Sequence, residues 1–150
     1  MEDHKIPITV AYKREIPLQT ISDMITTAVE GGSNYWYLFN EESSSQIRKY
    51  KGVYDPALHD KNQEYFYGTL AEAIITAIYN GEYLKVHDIE DEKEVLGVLS
   101  EESIKIGVEN MVTDECYHLL NILCGVDGNW DAADADAIFQ YFVLGKVVYG

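Results

Sequence analysis

Residues 83–106 read Tyr83-Leu-Lys-Val-His-Asp-Ile-Glu-Asp-Glu-Lys-Glu-Val-Leu-Gly-Val-Leu-Ser-Glu-Glu-Ser-Ile-Lys-Ile106. Two apolar runs, Tyr83–Ile89 and Glu94–Leu99, flank the charged turn Glu90-Asp91-Glu92-Lys93. This predicts a β-hairpin, or two strands of one antiparallel sheet. Ser100 then stands where a helix cap belongs. Beyond it Ile104, Val108, Met111, Val112, Leu119 and Leu123 recur at helical spacing with some drift, and Gly125 supplies a stop. A hairpin feeding a long helix makes the fold class α+β.

Helices also surround this stretch. Toward the N-terminus, Thr69-Leu-Ala-Glu72 is a capping box, in which the Thr hydroxyl and the Glu carboxylate each satisfy a free backbone N–H. A helix over 70–79 follows and ends at Asn80-Gly81. Further back, Leu18, Ile21, Ile25 and Ala28 mark another helix, which stops at Gly31-Gly32. The run Tyr35-Trp-Tyr-Leu-Phe39 is too short for a helix and reads as a buried strand. Residues 6–16 alternate enough to suggest an opening strand. Toward the C-terminus, Asp131 caps a last helix with Ala137, Ile138, Phe142 and Val143 inside. Gly145 then releases Val147-Val-Tyr149 as a closing strand or a docked tail. Between Asn40 and Gly68 periodicity fades, so the single domain over 1–150 contains a long loop or partly ordered insertion over 40–68, with room for a short helix near Ser45–Tyr50.

The net charge of −15 is unevenly placed. Residues 1–51 hold seven acids and six bases, and residues 52–150 hold nineteen acids and five bases. The span 88–115 alone has ten acids against two lysines, which disfavours direct contact with nucleic acid or an anionic membrane. Asp88, Glu90, Asp91, Glu92, Glu94, Glu101 and Glu102 form the candidate acidic surface. No run of about 18 apolar residues exists to span a bilayer, and no signal-type block follows Met1-Glu-Asp-His-Lys5, so the expected place is the cytoplasm. Cys116 and Cys124, eight apart on one expected helix, would lie roughly 12 Å apart at about 1.5 Å of rise per residue. A disulfide tolerates about 7 Å, so both are expected as thiols.

Three clusters are candidates for chemistry. Glu30-Gly-Gly-Ser-Asn-Tyr-Trp36 places glycines after a helix rather than before one, the reverse of a phosphate loop. It reads as a helix exit, or as one wall of a ligand or partner site made by Glu30, Ser33, Asn34 and Trp36. Nine of the eighteen aromatic residues fall between Tyr35 and Tyr67. Tyrosine suits surfaces that stay partly wet, which makes Tyr50, Tyr54, Tyr65 and Tyr67 binding candidates. Asp127, Asn129 and Asp131 imitate the start of a calcium loop, but Ala132 and Ile138 occupy the positions that require Gly and Glu, leaving a weak metal candidate. The four histidines are scattered, no serine has a nucleophile-elbow context, and the sequence calls for no cofactor.

Ile25–Tyr37 (ITTAVEGGSNYWY) and Asp131–Gly150 (DAADADAIFQYFVLGKVVYG) together resemble a family of small, acidic, uncharacterised proteins of bacteriophages and prophages. The matching positions are Glu30, Gly31, Gly32, Tyr35, Trp36, Asp136, Gln140, Gly145, Tyr149 and Gly150. The resemblance implies a mobile-element origin rather than an activity. Two functional classes stand beside each other: a non-enzymatic binding protein whose acidic surface imitates a phosphate backbone and inhibits a basic host or defence protein, and a small-molecule or nucleotide binder with an aromatic pocket, completed by a second copy if the chain is a homo-oligomer. An enzyme assembled from distant residues is the third.

Overall fold

A computed structural model describes residues 5–7, 14–55, 58 and 68–150. Most of the expected opening strand, and with it His4, His59, Tyr65 and Tyr67, lies outside the described residues. The rest is α+β as expected, with a three-stranded antiparallel sheet and six α-helices. No helix among the described residues is long and apolar enough to cross a membrane.

The elements are α1 (Leu18–Thr27), β1 (Tyr37–Leu38), α2 (Glu41–Arg48), α3 (Leu70–Tyr79), β2 (Leu84–Asp88), β3 (Asp91–Leu99), α4 (Glu101–Thr113), α5 (Tyr117–Leu123) and α6 (Ala132–Leu144). The sheet order is β1-β2-β3, so β3 is an edge strand. Leu84 pairs with Leu99 and Asp88 with Asp91, and the register slips on both sides of His87. Such bulges sharpen the local twist of a hairpin.

α6 is the centre of the molecule. It is apolar on nearly every side and buries Ile138, Phe139, Phe142 and Val143, as a helix enclosed by other elements must. Two glycines let its neighbours approach. A Cβ on Gly97 of β3 would stand 2.3 Å from the Val143 carbonyl oxygen, and one on Gly107 of α4 would stand 2.3 Å from that of Tyr141. No side chain fits either gap. α3 buries seven of its ten residues and begins with the expected Thr69–Glu72 capping box.

Five sequence expectations are corrected. The long helix after Ser100 is two helices, α4 and α5, separated by a corner at Asp114–Cys116 where Glu115 takes a left-handed φ of 56°. The drift in its apolar positions reflects this bend, which brings Leu119, Ile122 and Leu123 back to the core beside Met111. The Tyr141 hydroxyl holds the corner, donating to Asp114 Oδ2 at 2.8 Å and lying 3.0 Å from Cys116 Sγ. Cys116 and Cys124 therefore flank α5 instead of sharing a long helix; both are free thiols. The aromatic strand contracts to Tyr37–Leu38, because Ser33–Trp36 turns inward. The helix expected near Ser45–Tyr50 begins earlier, at Glu41, where the Asn40 side chain accepts the Ser43 N–H. The hairpin turn is also tighter than expected: Ile89-Glu90 makes it, with the Glu90 N–H bonded to Asp88 Oδ1 at 2.8 Å, and β3 already begins at Asp91.

Candidate functional site

The segments Ile25–Tyr37 and Asp131–Gly150 lie about a hundred residues apart and meet at one carboxylate. α1 runs into a wider terminal turn over Ala28–Gly32, and Gly31, at φ 151°, lets the chain leave toward α6. The Asp136 carboxylate then receives four donors: the Ser33 hydroxyl at 2.6 Å, the Tyr35 hydroxyl at 2.5 Å, the Trp36 indole N–H at 2.8 Å and the Gln140 amide at 3.1 Å. Asp136 is 7% exposed, Trp36 2% and Ser33 0%. No cation among the described residues pairs with it, so neutral dipoles alone offset its charge, which burial would otherwise make costly.

The same network fastens the C-terminus. Gln140 Oε1 accepts the Val148 and Tyr149 N–H groups at 2.8 and 2.9 Å, and its amide donates to the Tyr149 carbonyl at 3.1 Å. The Tyr149 ring stacks on Trp36 with centroids 5.3 Å apart and planes at 12°. Of the two sequence alternatives for this end, the structure selects the docked tail. Partial burial, with Asp136 adding to it, pushes the Tyr35 hydroxyl up to about 12. Ser33 and Trp36, candidates for a binding wall, are thus built into the core, whereas Glu30 and Asn34 remain exposed.

The acidic candidates divide into two groups. Glu101 and Glu102 occupy the first turn of α4, where carboxylates favour the positive end of the helix dipole, and Glu101 lies 3.5 Å from Lys105. Asp88, Glu90, Asp91, Glu92 and Glu94 gather at the turn end of the β2–β3 hairpin, all exposed except the half-buried Asp88. None of these five makes an ion pair among the described residues. Asp88, Glu94 and Glu90 all bear on the Tyr149 hydroxyl: together with its partial burial, the larger cause, their negative field raises its pKa above the ordinary tyrosine value. Three hairpin carboxylates and the docked tail therefore share one locality.

Two of the tyrosine candidates fall within the described residues. Tyr50 donates to Glu82 Oε1 at 3.0 Å, which ties the end of α2 to the turn before β2, and Tyr54 is half exposed. The calcium-loop residues spend oxygens locally: Asp127 Oδ1 takes the Asn129 N–H and Asp131 Oδ1 takes the Asp134 N–H in a capping box. His118 lies 3.0 Å from Asp134 and 4.0 Å from Asp127, an exposed contact that sequence spacing did not suggest.

Two further features escaped the sequence reading. His87, in β2 of the hairpin itself, is buried, its Nε2 3.1 Å from the Asn40 amide nitrogen. Because Asn40 Oδ1 is committed to Ser43, that nitrogen must donate, which makes Nε2 the acceptor and places the ring proton on Nδ1. The second is a cleft of about 590 Å³ between β1, α2 and α3, bordered by Val29, Leu38, Phe39, Ile47, Arg48 and Lys51 among others. Its members come from four separated segments, which is why no single motif announces it.

No family model matches the chain, and no curated protein and no solved structure matches it either.

Proposed function

We propose that this is a non-catalytic binding protein whose acidic hairpin receives a basic surface of a partner protein. The observation that carries the reading is the contrast in how carboxylates are used. Asp136 is saturated by donors, Glu41 pairs with Arg48, Glu101 with Lys105, and Asp131 and Asp134 close a helix cap. The five hairpin carboxylates have no cationic partner among the described residues. Like charges gathered on one β-ribbon repel one another, and a basic partner would relieve that repulsion while displacing weakly held counterions.

The resemblance to phage and prophage proteins favours a particular kind of partner: a host or defence protein whose basic groove ordinarily receives nucleic acid, with hairpin carboxylates standing where phosphates would. Such complexes form fast at low ionic strength and weaken as salt screens the charges. Affinity capture from bacterial lysate at stepped salt, using the protein and a variant with Asp88, Glu90, Asp91, Glu92 and Glu94 changed to their amides, tests the proposal. The expected result is a basic protein retained at low salt, released as salt rises, absent with the variant, and bound again when both purified proteins are mixed. Equal recovery with the variant, or no basic protein at low salt, would overturn it.

A further inference from the structure

We propose that the cleft between β1, α2 and α3 is a second binding site, and that it takes a small amphiphilic anion: an apolar body ending in one carboxylate or phosphate-type head. The volume of about 590 Å³ suits a small ligand. Its walls are chiefly apolar, with Leu38 and Phe39 from the aromatic segment, Ile47 from α2, and Leu70 and Ala73 from the first turn of α3. Burial of an alkyl or aryl body against them supplies attraction without regard to charge.

The sign of the head group comes from the border. Three of the chain's eleven basic residues, Arg48, Lys49 and Lys51, fall within four positions, and two of them, Arg48 and Lys51, border the cleft. In a chain of net charge −15, this concentrates positive charge beside an apolar hollow. Lys51 makes no ion pair among the described residues. Arg48 pairs with Glu41 across an exposed contact, and a guanidinium has donors enough to serve a second oxyanion. A cationic amphiphile would meet the same walls and the wrong field. The site stands apart from the acidic hairpin, sharing with that element only Ile89 of its turn, so either proposal can fail without the other.

Octanoate, 1-octanol and octyltrimethylammonium share an alkyl body and differ in head group, which makes them suitable probes in an NMR titration. Octanoate should saturably shift the amides of Leu38, Ile47, Lys51, Leu70 and Ala73, with octyltrimethylammonium binding about ten-fold more weakly or less. Arg48→Gln with Lys51→Gln should weaken octanoate by about ten-fold and leave 1-octanol unchanged. Glu41→Gln, which removes the competitor for Arg48, should tighten octanoate, and Leu70→Glu, at an exposed position on the border, should weaken it independently. Octanoate bound equally well by the Arg48/Lys51 variant would overturn the proposal and leave those cations as partners of the α2 C-terminus alone. Absence of shifts at the cleft with octanoate would overturn it as well.

Discussion

Asp136 and the carboxylates of the β2–β3 hairpin are one chemical group in two settings. At Asp136 four neutral donors converge on a buried anion, and through Gln140 the same network fixes Val148 and Tyr149. At the hairpin Asp91, Glu92 and Glu94 stand exposed on the edge strand β3, Glu90 in the turn and half-buried Asp88 at the end of β2, and where these carboxylates bond it is locally, as Asp88 does with the Glu90 N–H and Asp91 with the Lys93 N–H. The first setting consumes its charge in holding segments a hundred residues apart. The second leaves its charge available. The residues gathered around Asp136 therefore build the fold, and the residues proposed to meet a partner lie beside them on the hairpin. Tyr149 joins the settings, stacked on Trp36 and lying in the field of Asp88, Glu94 and Glu90.

The comparison would be broken most readily at Asp136. Asp136→Ala strands the Ser33, Trp36 and Gln140 donors in the core and should cost about 3–5 kcal/mol by urea unfolding, enough to unfold much of a marginal domain. A loss below about 1 kcal/mol would contradict a structural role. Gln140→Ala removes the tail latch as well as one Asp136 donor, and about 2–3 kcal/mol is expected. Limited proteolysis should then show earlier cleavage after Tyr149 or Lys146 than in the parent protein. Tyr35→Phe deletes one donor from a half-exposed ring, for a loss of about 1 kcal/mol near neutral pH.

Tyr35 also sharpens the comparison through pH. Its hydroxyl ionises near 10 in the unfolded chain and at about 12 in the fold, so the folded state holds the proton more tightly. The resulting stability is fully present below pH 10 and is lost as pH rises toward about 12. Stability measured across that window should fall less steeply in Tyr35→Phe than in the parent. Smallest of all is the expected effect of neutralising the hairpin. Changing Asp88, Glu90, Asp91, Glu92 and Glu94 to amides should alter stability by only about 0.5 kcal/mol, and in the stabilising direction as repulsion falls. A large loss by thermal melting would show that the hairpin carboxylates hold structure after all.

Local signals carried the helices and the hairpin through to the structure. Thr69 with Glu72, the Asp131 cap, and Gly145 at φ 76° act where the sequence placed them. Signals that depend on distant packing did not. A continuous apolar rhythm from Ile104 to Leu123 concealed the corner at Asp114–Cys116, because the Tyr141 hydroxyl that pins it arrives from another helix. Ser33 and Trp36 read as part of the wall of a site because their common acceptor, Asp136, stands a hundred positions away. α2 was half hidden by three successive serines, which are poor helix formers, and its Asn40 cap was the one local sign of where it starts. The cleft needed four segments in place before Arg48 and Lys51 could be seen at the border of an apolar hollow.

The account rests on the hairpin carboxylates acting by position, and net charge alone is the competing explanation. Fluorescence anisotropy of a lysine- and arginine-rich peptide, titrated at low salt, separates the two. The protein is compared with the five-amide hairpin variant and with a charge-matched variant in which Glu101, Glu102, Glu109, Asp114 and Glu115 are the residues neutralised. The hairpin variant should lose about ten-fold or more in affinity while the charge-matched variant stays within about two-fold of the parent. Equal losses in the two variants would contradict the account, reducing the acidic hairpin to part of a uniformly charged surface.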